Sequence, residues 1–157
     1  MPTSIALCKF VGTVTLGLLT GVSYTLSTQS LPSLLTLPSA KPAAYTLNQT
    51  ARLATLHITT LSTISCISLA TAFALSSPRQ RHPYLLWTSL AAASSGLLNF
   101  AMDASTRSSA AIEEVGEING EQVEKKARDL QWVEFVRMGV SGVGFVMGVV
   151  GIWGDGA

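Results

Sequence analysis

The chain has 157 residues, of which 48% are hydrophobic and 12% charged, with a formal net charge of +1. A soluble domain carries about 25% charged residues, and a near-neutral balance leaves no electrostatic footprint for nucleic acid. The stretches 10–40, 53–78, 83–102 and 138–154 contain no Asp, Glu, Lys or Arg, which leaves no room for a separate soluble catalytic domain.

A helix crosses about 30 Å of hydrocarbon with about 20 mostly apolar residues, so each stretch is long enough to span. The expected architecture is all-α: a single polytopic membrane domain, a four-helix transmembrane bundle with spans at about 10–31, 53–75, 84–102 and 133–153. One polar segment, 103–131, combines a loop with a surface helix before the last span.

The first span follows Lys9 and is too long for the apolar core of a signal peptide. No Arg occurs before Arg52, whereas a cleaved mitochondrial presequence is Arg-rich; a retained first span is expected. Pro32 and Pro38 are expected to end it. Thr13, Gly17, Gly21 and Thr25 recur every fourth residue, and small residues so spaced let helices approach closely in lipid. Lys41 to Arg52 is expected as a polar connection, with Asn48-Gln49-Thr50 in the form of a glycosylation acceptor. In the second span Ser62, Cys66, Ala70 and Ala74 form a similar ridge, and His57 is expected at the interface.

Ser76 to Pro83 is a basic turn carrying Arg79, Arg81 and His82, after which Tyr84 and Trp87 open the third span as interfacial anchors. Asn99 is placed to hydrogen-bond across helices. In the polar segment, Glu121 with Lys125 and Glu124 with Arg128 are spaced to pair along a helix, and Ser105, Thr106, Ser108 and Ser109 are candidates for docking or phosphorylation. Trp132 and Trp153 bracket the last span 21 residues apart (153 − 132), a rise of about 31 Å. Glu134 and Arg137 are expected to pair or snorkel near its start, and Gly144 with Gly148 supplies a second close-packing motif beside Gly17 and Gly21.

Chemistry is sparse. The spans offer His57, Glu134, Arg137 and hydroxyl or amide groups, from which no acid–base constellation assembles by spacing. Cys8 and Cys66 have no metal-ligand spacing. No catalytic residue, metal or cofactor is expected.

Two stretches go beyond composition: Arg81-His82-Pro83-Tyr84-Leu85-Leu86 with Leu90-Ala91-Ala92, and Val143-Gly144-Phe145-Val146 leading to Val150-Gly151-Ile152-Trp153-Gly154-Asp155-Gly156. In both, the chain resembles the fungal autophagy-related protein 33 family. The resemblance implies a multi-pass protein of the mitochondrial outer membrane, required for selective autophagy of mitochondria, with no enzymatic activity. It implies the family motif Arg81, His82, Pro83, Tyr84 and no catalytic residues. Expected partners are the lipid bilayer and membrane or autophagy proteins, with a second copy of the chain as one candidate, and no nucleic acid. Two alternatives share the architecture: a small four-span oxygenase of the anthrone type, and an accessory subunit of a larger membrane complex.

Overall fold

A computed structural model describes residues 3–76, 82–113 and 120–154, and side chains except those of 100–113. The described residues form helices α1 (Thr3–Thr25), α2 (Leu31–Leu34), α3 (Ala40–Leu75), α4 (Pro83–Glu113) and α5 (Gly120–Gly154), with a π-helical turn at Leu26–Ser30 joining α1 to α2. No strand occurs among them. Three stretches, Thr3–Leu34, Ala40–Leu75 and Gly120–Gly154, are long and apolar enough to cross a membrane by length and composition.

The helices overrun the expected boundaries. The first passes Pro32, because the π turn absorbs the missing donor. There the Leu31 N–H reaches back five residues to the Leu26 carbonyl, instead of four to that of Ser27. In that wider register Ser27 would receive its bond from position 32, where proline has no N–H. Its carbonyl accepts instead from the side-chain Nε2 of Gln131, at 2.9 Å.

Lys41 to Arg52, expected as a connection, is the first third of α3. Its start is consistent with Pro42 in the first turn, where an N–H would have no helical partner. Over 103–113, expected as loop, the backbone is helical; Ala104, Ala110 and Ala111 favour that state, and no Gly or Pro interrupts before Gly116. The expected surface helix and last span are one continuous α5. The ends of α2, α3 and α5 join in a small core of Leu31, Leu34, Leu47 and Ala127.

Helix α1 packs against α3 and α5, and α4 packs against the same two from the opposite side. The buried positions show why. One series among them runs through 5, 9, 12, 16, 19 and 23 on α1, 58, 62, 65, 69 and 72 on α3, 85, 88, 92, 95 and 99 on α4, and 134, 137, 141, 144 and 148 on α5, with Thr13, Ser89 and Gly96 buried beside it. Steps of three and four alternate on every helix, which is the seam of knobs-into-holes packing. The exterior is apolar, unlike that of a soluble bundle, while the seam mixes apolar residues such as Leu16, Leu19, Ile58, Leu69 and Leu85 with polar ones. Seam positions hold Thr88, Ser23, Ser62, Ser65, Ser95 and Ser141, while Leu7, Phe10, Leu18, Leu56, Ile67, Leu97, Val143 and Val150 point outward.

Close packing relies on particular glycines. A Cβ at Gly148 would lie 2.9 Å from Thr13 Oγ1, one at Gly144 would lie 3.0 Å from Ala91 Cβ, and one at Gly17 would lie 2.8 Å from the Phe145 ring. Gly21, expected in the same ridge, has nothing within 4 Å and is not part of the interface. On α3 the packed face holds Ser62 and Ser65, whereas Ala70 and Ala74 are exposed.

Candidate functional site

The charged residues buried among the described side chains are Lys9, Glu134 and Arg137. Lys9, 2% exposed, lies at one end of the bundle with its Nζ 5.9 Å from the centre of the Tyr84 ring. Tyr84 in turn fills the space over Gly151, where a Cβ would fall 2.3 Å from the ring. Of the motif positions Arg81 to Tyr84, Arg81 lies outside the described residues. The His82 carbonyl accepts from the Leu85 N–H at 3.3 Å, and Pro83 is the first residue of α4.

Glu134 and Arg137 sit one turn apart on the inner seam of α5, 6% and 0% exposed. They pair, as the spacing implies, but inside the bundle: the guanidinium does not snorkel. Arg137 Nη1 donates to Glu134 Oε1, Nε donates to the Ser95 carbonyl at 3.1 Å, and Nη2 donates to Asn99 Oδ1 at 2.6 Å. Asn99 Nδ2 lies 3.4 Å from both the Thr55 carbonyl and Thr59 Oγ1. Ser141 Oγ donates to the Arg137 carbonyl at 2.7 Å and accepts from Thr20 Oγ1 at 3.0 Å. One polar network thus joins α1, α3, α4 and α5. The planar fork of arginine explains the choice, because it delivers donors in three directions from one buried point. Glu134 Oε2 has no partner.

A cavity of about 300 Å3 opens beside this network, lined by Glu134, Arg137 and Asn99 and, from the helical extensions, by Asn48, Arg52 and Lys126. No group of His, Cys, Asp and Glu that could hold a metal occurs among the described residues. His57 is exposed and its Nδ1 lies 2.7 Å from the Leu53 carbonyl, outside the network. Glu124 and Arg128 pair on the exposed face of α5 at 2.8 Å. The backbone of α4 runs through Ser105, Thr106, Ser108 and Ser109, whose side chains lie outside the described set.

Spacing identified Glu134, Arg137 and Asn99 one by one but not their convergence. Position in the seam was the signal. All three fall on the three–four alternation of their helices, so helices packed along those seams must bring them together.

A helical protein with a seam of mixed polarity, an apolar exterior and a buried Glu–Arg ion pair is the class these features define. The chain belongs to the autophagy-related protein 33 family: the family model for "Autophagy-related protein 33" matches residues 1–130. Autophagy-related protein 33 of Gibberella zeae is 36% identical, across 99% of this chain and 93% of that protein. No solved structure matches.

Proposed function

We propose that this chain is a four-span protein of the mitochondrial outer membrane that acts without catalysis, by protein–protein contact, in the selective autophagy of mitochondria. Membership of the autophagy-related protein 33 family along nearly the whole chain carries this reading. The apolar exterior of the bundle supports its insertion in a membrane. Trp132 and Trp153, both exposed at opposite ends of one apolar stretch of α5, suit the two interfaces of a bilayer. The mitochondrial site and the restriction to mitochondria follow the family resemblance.

A membrane-embedded Glu–Arg pair with all its nearby donors engaged serves as a structural clamp. The face left for partners is the end built from α2, the first third of α3 and the first third of α5, where polar residues are exposed on ordered helices. Deleting the gene while following both mitochondrial turnover and bulk autophagy tests the role. Loss of mitochondrial turnover with bulk autophagy intact is expected; equal turnover in deletion and parent overturns it.

A further inference from the structure

Helix α5 carries its packing seam on one side and a second row on the other. From Trp132 to Trp153 the exposed positions Val136, Gly139, Val143, Val146 and Val150 follow in alternating steps of four and three. They are the d and a positions of a heptad, opposite the seam that holds Glu134 and Arg137. Any helix facing lipid has an outward row, so the alternation alone carries nothing. The rows on α1 and α3 show the ordinary case, with Leu7, Phe10 and Leu18 on one and Leu53, Leu56 and Ile67 on the other.

Three features set the α5 row apart. Between its tryptophans it is valine and glycine alone, without the longer side chains of the other two rows. Valine has one strongly preferred χ1 rotamer in a helix, so docking it costs little side-chain entropy, and β-branched residues at the a positions favour a two-stranded pair. Gly139 has no packing reason inside the chain: a Cβ at Gly144 or Gly148 would strike a neighbour, whereas one at Gly139 meets nothing within 4 Å. Glycine is the poorest helix former after proline, and a bared backbone in an outward row is what lets a second helix approach closely in lipid.

Charge supplies the third feature. The same heptad frame continues into the polar start of α5, where Glu121, exposed, falls at g and Lys126, partly exposed, at the following e. In a parallel pair, g of one helix lies beside the next e of the other, so Glu121 of each copy meets Lys126 of the other, twice by symmetry. Lys125 and Asp129, at d and a, bring opposite signs into adjacent layers.

We propose that a second copy of this chain covers the row, as a parallel, two-fold pair of α5 helices. Copies inserted in the same sense are parallel, and a two-fold interface sets one surface against itself. That self-complementarity selects a second copy over lipid, because a lipid tail makes no use of a frame that pairs Glu121 with Lys126. The inference rests on the membrane reading proposed above, not on the role in mitochondrial turnover.

The test uses the full chain in membranes, with Cys8→Ala and Cys66→Ala as background and single cysteines added. Under mild oxidation Val136→Cys, Val143→Cys, Val146→Cys and Val150→Cys should give disulfide-linked dimers severalfold more than the outward controls Leu18→Cys and Ile67→Cys. Gly139→Leu should keep the helix content of the parent and lower the Val146→Cys dimer yield severalfold. Glu121→Lys and Lys126→Glu should each cut that yield, and the double exchange should restore it, a recovery that chance collision of two valine faces would not show. Equal yields at all cysteine positions, dimers indifferent to Gly139→Leu and to the charge exchange, or adducts with a different protein in place of the dimer overturn the proposal. Release of the chain by alkaline carbonate removes the membrane reading and this inference with it; retention in the membrane without these dimers overturns this inference alone.

Discussion

Gln131 caps the Ser27 carbonyl across more than 100 residues of sequence, at 2.9 Å, and the need for that cap originates at Pro32. A carbonyl buried without a donor costs about 1–3 kcal/mol. Gln131→Leu should therefore lower thermal stability in detergent by about that amount. In a Pro32→Ala background the new N–H can reach Ser27, and the cost of Gln131→Leu should fall close to zero. An equal loss in both backgrounds would show that the side chain does not compensate for the proline.

The Arg137 clamp makes a second cycle. Removing one member of a buried ion pair leaves an uncompensated charge, a loss of about 3–5 kcal/mol, whereas replacing both by apolar residues of similar volume is close to neutral. Glu134→Leu and Arg137→Met should each depress steady-state level and unfolding temperature, and the double variant should recover much of both. Asn99→Leu should cost less than either, about 1.5–3 kcal/mol for a hydrogen bond to a charged group. Additive losses in the double variant would mean the pair does not act as a unit.

What the sequence reveals of this molecule depends on which period is read. Charge gaps place four helices, because spans must exclude charge whatever their neighbours are. They do not place helix ends: Lys41 to Arg52 and 103–113 are polar, and polarity alone does not separate a solvated helix from a loop. The small-residue ridges are legible only in part, since a row of every fourth residue turns by about 40° per step on a helix of 3.6 residues per turn. Such a row starting at Thr13 and Gly17 has rotated out of contact by Gly21. The alternation of three and four stays on one face, and Arg137, Asn99 and Ser95 lie on it. The cavity was not legible, because Asn48 and Arg52 reach it only by virtue of the helical extension of α3.

The same geometry separates glycines that look alike. Gly148→Leu and Gly144→Leu would drive a branched side chain into Thr13, or into Ala91 and Leu16, where even a Cβ is at 2.9–3.1 Å. Both should reduce crosslinking between α1 and α5, or α4 and α5, together with steady-state level. Gly21→Leu adds apolar surface where nothing lies within 4 Å and should be tolerated, even slightly stabilising given the helix propensity of leucine. Equal damage from Gly21→Leu would require a contact outside this chain, such as a second copy.

Orientation decides which end meets the cytosol, and it can be argued from where basic residues sit. In a four-span arrangement the N-terminus, the turn before Pro83 and the C-terminus share one side, with Lys9, Arg79 and Arg81. The opposite side carries Lys41, Arg52, Arg107, Lys125, Lys126 and Arg128. Lys9 is buried against the bundle, so its weight as a loop charge is reduced and the asymmetry grows. On the membrane reading proposed above, cytoplasmic loops hold the excess of Lys and Arg, and the end formed by α2 and the starts of α3 and α5 is expected to face the cytosol. That end also carries the mouth of the cavity, through Arg52 and Lys126, and the segment holding Ser105, Thr106, Ser108 and Ser109, where phosphorylation would add charge within reach of the cytosolic machinery. A protease site inserted after Ser109 should be cut from outside intact mitochondria, while a site appended at the C-terminus should resist until the outer membrane is opened. Cleavage of the C-terminal site alone inverts the topology and removes that end as the docking face.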